Sequence, residues 1–411
     1  MKQLRMILII VVTVLICGVI IYFCGSTETE DVSEPVFITE SVQSQVKATD
    51  KDDDKQIATE TDAGIAATTV TDAELQEATE EEFSFDIEMT FVGDCLMASN
   101  YNDTSQESLL GYAASYPDTY FFEKVIQYFD DDLTVANCEN VFSDRDLTRR
   151  DKGTNNATTE ATTQVGTDTD AEEEPVIEQY WFKAPTAFAS VFTDNSIEAV
   201  TIDNNHTYDY GYEGLMDTQA ALDAAGVMWG YRDKILYYEK EGYTVAIICC
   251  SFYSQPEAEI YKTYIQTASE SSDFQIVYFH GGTEAIEQPE DWKIAACHGL
   301  VDAGADLVIG AHPHVLQYRE NYNGVDIVYS LGNFCFGGNN HPRINRTIIY
   351  KYTLHIGGSE DEPVLEDKTE EMIPCYVYTG DRNNWQPAPI EDEELAAKVI
   401  AFMNGEISSL Q

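Results

Sequence analysis

Short runs of β-branched and aromatic residues punctuate the chain, with stretches of helical spacing between several of them. Seven runs read as strands: EMTFVG (88–93), LTVAN (133–137), EAVTI (198–202), TVAIICC (244–250), FQIVYF (274–279), DLVIG (306–310) and DIVYSLG (326–332). Runs this uniformly apolar belong to central strands covered on both faces. Helical patterns occupy 120–129, 185–192, 212–225 and 292–303. In 212–225, Leu215, Thr218, Leu222 and Ala225 recur at spacings of three, four and three, and Gly226 supplies the stop. The 292–303 pattern ends likewise before Gly304. An apolar alternation over 346–356 predicts a strand near a sheet edge, and 391–404 a short amphipathic helix. Strands alternating with helices predict an α/β domain.

Residues 6–23 form an uncharged apolar run of 18 preceded by Lys2 and Arg5. As a helix it rises about 27 Å, enough for a hydrocarbon core. The basic flank predicts residues 1–5 in the cytoplasm, a single membrane-spanning anchor, and the rest of the chain on the extracytoplasmic side. A cleaved signal peptide is the rival reading, although the run is long for one and no clear Ala-x-Ala site follows. A lipoprotein signal would use Cys17 or Cys24, which bulky Ile16 and Phe23 precede. Residues 24–85 carry 17 acidic and 3 basic side chains with no sustained apolar periodicity, the composition of a disordered acidic linker. A similar stretch, 143–178, reads as an acidic insert in a folded domain spanning 86–404.

Charge narrows the function. With 73 acidic and 23 basic residues in 411, the net charge is −50, which argues against nucleic acid as a partner because phosphates would be repelled. The nine Cys include no Cys-x-x-Cys, against zinc ribbons and thioredoxin-like sites. Cys95, Cys138, Cys249 and Cys250 read as small buried hydrophobes.

Candidate chemistry gathers at the ends of the strand-like runs. Asp94 follows TFVG, Glu139 follows LTVANC, Asn204, Asn205 and His206 follow EAVTID, His280 follows QIVYF, His312 and His314 follow DLVIGA, and Asn333 follows DIVYSLG. The carboxyl ends of strands in open α/β sheets converge on one crevice. Carboxylates, amides and imidazoles together suit one or two divalent ions, Mn, Fe or Zn, rather than a thiolate-rich structural site. His298 and His355 have no partner motif and read as structural; His341, in GGNNHPR, lies in the loop after Asn333.

On these residues the chain resembles the bacterial capsule-synthesis proteins of the CapA type, the poly-γ-glutamate capsule family. The resemblance is carried by TIDNNHTYDYGYEGLMDTQAALDAAGV (201–227), VDAGADLVIGAHPHVLQ (301–317) and YSLGNF (329–334), with Gly93-Asp94, Asn137-Cys138-Glu139 and the block from His280 to Glu284. It implies a four-layer αββα sandwich of metallophosphoesterase (calcineurin-like) type. It further implies that Asp94, Glu139, Asn205, His280, His312 and His314 bind metal, that His206 is the proton donor beside the metal-binding Asn205, and that Glu284 is an acidic site residue. Phosphoesterases usually carry Asp-x-His in the first block, where this chain has Leu96; the capsule family often has Arg where this chain has Ser99, and Trp where it has Gly281.

Three functions stay open at this level. One is a membrane-anchored extracytoplasmic component of poly-γ-glutamate capsule synthesis or export, with the polymer and membrane subunits of the capsule machinery as partners. Another is a metal-dependent hydrolase of phosphoester or amide bonds unrelated to capsule. The third is a non-catalytic polymer-binding scaffold. A polyanionic polymer would be repelled by so acidic a domain unless metal ions or local basic residues offset the field; otherwise a neutral substrate is handled. The topology is testable: protease added to intact protoplasts is expected to release the folded domain, and a fully protected domain would refute an outward orientation.

Overall fold

The computed structural model describes residues 36–39 (backbone only), 83–151, 179–340, 342 and 344–410. The expected anchor 6–23, most of the expected linker, the centre of the acidic insert and His341 lie outside them. Among the described residues no helix is long and apolar enough to cross a membrane.

All seven strand-like runs form strands, and they divide between two mixed sheets. The seven-stranded sheet runs Val36–Thr39, Leu236–Lys240, Tyr243–Ser251, Phe274–His280, Leu307–Ala311, Val325–Leu331, Leu316–Tyr322. The eight-stranded sheet runs Ala388–Pro389, Glu362–Tyr376, Thr347–Ser359, Phe85–Leu96, Leu133–Cys138, Ala199–Thr201, Met228–Gly230, with Asn333–Phe336 also paired to Phe85–Leu96. The middle strands of each sheet are parallel. One apolar cluster, including Phe91, Val135, Val245, Tyr278 and Ile309, fills the space between the sheets. A second joins the eight-stranded sheet to helix Gly211–Ala225, and a third joins the seven-stranded sheet to helices Tyr261–Ala268 and Asp291–Asp302. The layers are therefore helix, sheet, sheet, helix. Central strands with both faces covered explain why these runs lack polar alternation.

Helix Gly211–Ala225 buries Leu215, Thr218 and Leu222 and stops at Gly226, whose φ of 73° is the left-handed cap Gly tolerates. Two local expectations are corrected. Residues 120–129 form no α-helix but two 3₁₀ turns, Asp118–Phe121 and Ile126–Tyr128, and 185–192 likewise becomes the 3₁₀ helix Thr186–Val191. Aromatic residues lose side-chain freedom in a long helix, and here packing Phe121, Phe122 and Phe188 into the core decides the local path. The strand expected near an edge, Thr347–Ser359, lies third from one end of its sheet, inside Glu362–Tyr376 and the two-residue strand Ala388–Pro389. Its covering neighbour, Glu362–Tyr376, has a single fully buried residue and a charged centre, so no sustained apolar run advertises it. Within the span read as linker, Val36–Thr39 pairs in parallel with Leu236–Glu239.

The segment read as an insert begins later than its composition suggests. Ser143 is buried and donates to Asp217 Oδ2 at 2.5 Å, and Arg145 Nε donates to the same oxygen at 2.7 Å. Arg150 N donates to Asp209 O at 2.8 Å, while Arg150 O accepts from Trp181 Nε1 at 2.7 Å, which clasps the two ends of the segment together. Because loop length costs little once its ends are held, deleting 152–178 with a short Gly/Ser join is expected to leave the melting temperature within a few degrees of wild type. Deleting 143–178 is expected to lower it by more than about 5 °C. Equal melting temperatures for the two deletions would show that 143–151 contributes nothing.

Candidate metal centre

The two sheets deliver their polar strand ends to one place. From the eight-stranded sheet come Asp94, within Phe85–Leu96, Glu139, directly after Leu133–Cys138, and Asn204, Asn205 and His206, on the turn after Ala199–Thr201. From the seven-stranded sheet come His280, the last residue of its strand, and His312 and His314, which follow Leu307–Ala311. Two glycines allow the approach. A Cβ on Gly93 would lie 1.9 Å from Gly332 O, to which Asp94 N donates at 2.9 Å. A Cβ on Gly281 would lie 1.9 Å from Phe252 O. His312 and His314 both have left-handed backbones, φ 95° and 58°, with Pro313 between them. Such conformations cost on the order of 1–3 kcal/mol each and persist only where the surroundings impose them.

The hydrogen bonds leave too few protons for the acceptors present. Asn137 Nδ2 donates to Asp94 Oδ1 at 2.8 Å and also meets His280 Nδ1 at 3.1 Å. That contact makes His280 Nδ1 an acceptor and places the ring proton on Nε2, so ligating an ion through Nε2 would require the Asn137 contact to be given up. Nε2 then faces three lone-pair atoms: Asn205 Oδ1 at 2.8 Å, His312 Nδ1 at 2.9 Å and Glu139 Oε1 at 3.6 Å. His314 Nδ1 lies 3.1 Å from Asp94 Oδ2 and 2.9 Å from Asn333 Oδ1, and its Nε2 3.8 Å from Glu139 Oε1. Neither oxygen of fully buried Glu139 has a hydrogen-bond partner. Buried lone pairs in excess of protons are what a cation relieves. Two groups converge within 4.8 Å: Glu139 with His312 and His314, and Asp94 with Glu139 and His280. The donor set fits a borderline divalent ion.

Electrostatics agree. Burial, and then the charge of Asp94, push the Glu139 carboxyl well above its usual range. Burial and the neighbouring imidazoles hold His280 and His312 well below theirs, so both present neutral nitrogens. Burial would also lower His314, but Glu139 and Asp94 outweigh it and raise its pKa to about 10.

His206 stands beside this set. Its Nδ1 contacts Asp209 Oδ2 at 2.8 Å, which assigns the proton to Nδ1 and turns Nε2 toward Glu139 Oε1, 3.9 Å away. The Phe182 ring packs on the imidazole at 4.7 Å. Asn204 faces away from the centre, donating to Cys138 O and Asn137 Oδ1. Glu284 lines a cleft of about 400 Å³ with Asn100, Tyr180, Phe182, His206 and Phe336. Leu96 is buried in the helix-side core and offers no ligand. Cys95 and Cys138 are buried. His298 binds Glu320 and stacks on Tyr322, and His355 binds Asp86, both away from the centre. Sequence reading missed the parts played by Asn137, Asp209, Phe182 and Tyr253, whose ring meets His312 edge-on at 5.2 Å. Asn137 and Asp209 lie two and three residues from named site residues, a spacing that held the only available signal; Phe182 and Tyr253 arrive from distant elements.

Residues 88–338 match the family described as bacterial capsule synthesis protein PGA_cap, a span that includes every candidate ligand. The PGA biosynthesis protein CapA of Bacillus subtilis (strain 168) is 29% identical over 232 residues, 51% of this chain and 57% of that protein. The capsule biosynthesis protein CapA of Bacillus anthracis is 30% identical over 206 residues, 44% of this chain and 50% of that protein. The chain thus spans about half the length of the curated relatives it matches. Among solved structures, the calcineurin-like phosphoesterase YfkN from Bacillus subtilis aligns with a TM-score of 0.39 at 15% identity, over 70% of this chain and 90% of that one. A likeness that distant says nothing about function.

The protonation pattern makes a prediction for metal uptake. A ligand must be deprotonated to bind. His280 and His312 are already neutral at pH 7, whereas the neighbouring Glu139 and His314 both have raised pKa values and together hold a proton. Uptake of Mn or Zn near pH 7.5 is expected to release about one proton, with affinity rising toward pH 10. Calorimetry in buffers of different ionisation enthalpy reads the proton directly. Because Glu139 and His314 hold the proton together, replacing both, in a Glu139→Gln/His314→Gln variant, should abolish that release, and release unchanged in this variant would contradict the assignment.

Proposed function

The chain belongs to the bacterial capsule synthesis protein PGA_cap family, and we propose from that premise that it is a membrane-anchored, extracytoplasmic component of poly-γ-glutamate capsule synthesis or export with a metal-dependent hydrolytic centre of metallophosphoesterase type. The names of two relatives, a PGA biosynthesis protein and a capsule biosynthesis protein, support the capsule assignment. The apolar run 6–23 behind Lys2 and Arg5 supports the anchor and the outward orientation.

The observation that carries the hydrolytic reading is Glu139: a fully buried carboxylate with both oxygens unpaired, ringed by His280, His314 and His206 at 3.6, 3.8 and 3.9 Å. Asp94, Glu139, Asn205, His280, His312 and His314 would hold one or two ions of Mn, Fe or Zn. When bound, such an ion polarises a phosphoryl or carbonyl oxygen and makes water more acidic.

The chain's own side chains supply the remaining functions. His206, fixed by Asp209 at Nδ1, presents Nε2 to the cleft, where the doubly protonated ring, its charge balanced by Asp209, would pass the Nε2 proton to a leaving group. Phe182 shields one face of that imidazole from water. Asn205 Oδ1, beside His280 Nε2, fixes the imidazole's orientation. Glu284, in the cleft wall, is placed to exchange protons with a substrate held there. The cleft has room for a short segment of a polymer or for a small ligand.

The roles separate under mutation. His312→Ala is expected to cut metal content after Mn, Fe or Zn supplementation, because it deletes a nitrogen donor. His206→Ala is expected to keep the metal and lose roughly 10²–10⁴ in rate on generic phosphoester or γ-glutamyl substrates. Protein that takes up no metal, together with a His312→Ala variant indistinguishable from wild type, would replace this reading with a non-catalytic polymer scaffold.

A further inference from the structure

Cationic side chains are scarce, 23 against 73 acidic ones. Several of those described sit on carboxylates, as Arg145 does on Asp217, Arg319 on Glu370, Lys240 on Asp132 and Arg382 on Glu107. Arg149 and Arg150 do not. Both are exposed, and among the described residues neither meets a carboxylate. They lie instead on aromatic rings. The Arg149 guanidinium is 3.7 Å from the centre of the Tyr101 ring and 5.2 Å from that of Trp181. Arg150 lies 5.9 Å from the Tyr208 ring, and Arg232 lies 5.9 Å from the same ring and 5.0 Å from Tyr231.

These parts form one surface. The Tyr208 and Tyr231 hydroxyls share a hydrogen bond of 2.6 Å, and Trp181 Nε1 donates to Arg150 O. Arg232 is half exposed and approaches one carboxylate, Asp203, at 3.8 Å. It occupies a central position of the tight turn Tyr231–Lys234 with φ 49°, a left-handed conformation that ordinarily selects Gly. A large cation in so unfavourable a position, laid over two tyrosines, is a second and independent sign that this surface is built around guanidinium groups.

The surface abuts the metal centre. Tyr180 and Phe182 flank Trp181 and line the cleft, and Phe182 packs on His206. Arg150 N donates to Asp209 O, whose carboxylate holds His206.

We propose that Arg149, Arg150 and Arg232, carried on Tyr101, Trp181, Tyr208 and Tyr231, form a docking site for a carboxylate-bearing chain and lead it toward the cleft. A guanidinium stacked on a ring keeps its in-plane N–H groups free for two-point contact with a carboxylate, and stacking has already ordered the side chain. The overall charge of −50 does not forbid this. At physiological salt the screening length is about 8 Å, so the groups at the contact decide, not the distant acids. The inference builds on the capsule reading of the cleft, but it needs no turnover and no metal.

The test is binding by the full chain to sodium polyglutamate, to its uncharged hydroxyethyl-amide derivative and to polyphosphate of matched charge, each at low and high salt. Wild type is expected to bind polyglutamate in a salt-sensitive way, to ignore the uncharged derivative and to bind polyphosphate more weakly. The pair Arg149→Gln and Arg150→Gln is expected to weaken polyglutamate binding about tenfold or more, and Arg232→Gln to weaken it measurably. Arg382→Gln, on an ion-paired arginine elsewhere, serves as the control and should change nothing. Metal content and melting temperature should match wild type in every variant, so that failure here stays distinct from failure of the metal-centre reading. Absence of polyglutamate binding, binding unaffected in the double variant, or tighter binding of polyphosphate would overturn the assignment.

Discussion

Two carboxylates, Asp94 and Glu139, are wholly buried at the same end of two stacked sheets, and the surrounding structure is organised by that charge. A buried carboxylate is expensive unless it is hydrogen-bonded or paired. Asp94 is satisfied by Asn137, by the His312 amide and by His314. Glu139 is not hydrogen-bonded, and it sits where four imidazoles can face it. The net effect is a pocket of lone pairs that favours a small cation over water, and that keeps His280 and His312 neutral while Glu139 and His314 together hold a proton.

Holding that arrangement requires distortions which isolated strands would not adopt. His312 and His314 take left-handed backbones, and Gly93 and Gly281 let main chain touch main chain. The surroundings impose these features. The apolar cluster between the sheets immobilises the strands that carry the ligands. Outside it, buried Lys293 donates to Gln317 Oε1 at 2.8 Å, and Gln317 Nε2 donates to Ile286 O at 2.7 Å, pinning the loop that brings Glu284 to the cleft. Ala285 N donates to Pro313 O, which locks that loop to the turn between the two histidines. Local strain at the centre is thus supported by packing on both sides of the seven-stranded sheet.

Charge is distributed with the same economy. Several described cations neutralise a neighbouring carboxylate, as Arg145, Arg319 and Lys240 do, whereas Arg149, Arg150 and Arg232 lie over aromatic rings beside the cleft. An acidic protein can then present a short cationic surface without altering its overall field, because screening confines each charge to its own neighbourhood.

The seven apolar runs became strands because a strand covered on both faces must be apolar along its whole length, a property written residue by residue. The polar residues at the ends of those runs were legible by the same contrast: where an apolar run ends, a hydrogen-bonding side chain begins, which marked Asp94, Glu139, Asn204 to His206, His280, His312, His314 and Asn333, while the family resemblance selected the ligands among them. Helix Gly211–Ala225 was equally visible from its spacing and its Gly226 stop. What tertiary structure decided is which strands are neighbours. Glu362–Tyr376 is charged along its exposed face, so no local pattern marked it, and it pairs along the outer side of Thr347–Ser359. The aromatic stretches 120–129 and 185–192 took 3₁₀ form because the core claimed their rings. Asn137, Asp209, Phe182 and Tyr253, and the arginines stacked on Tyr208 from positions 150 and 232, acquire their roles only by meeting residues far away in the chain. A sequence specifies what a residue can offer, by its type and its local burial; what it faces depends on strand order and on contacts across the two sheets, and those exist only once the chain has closed on itself.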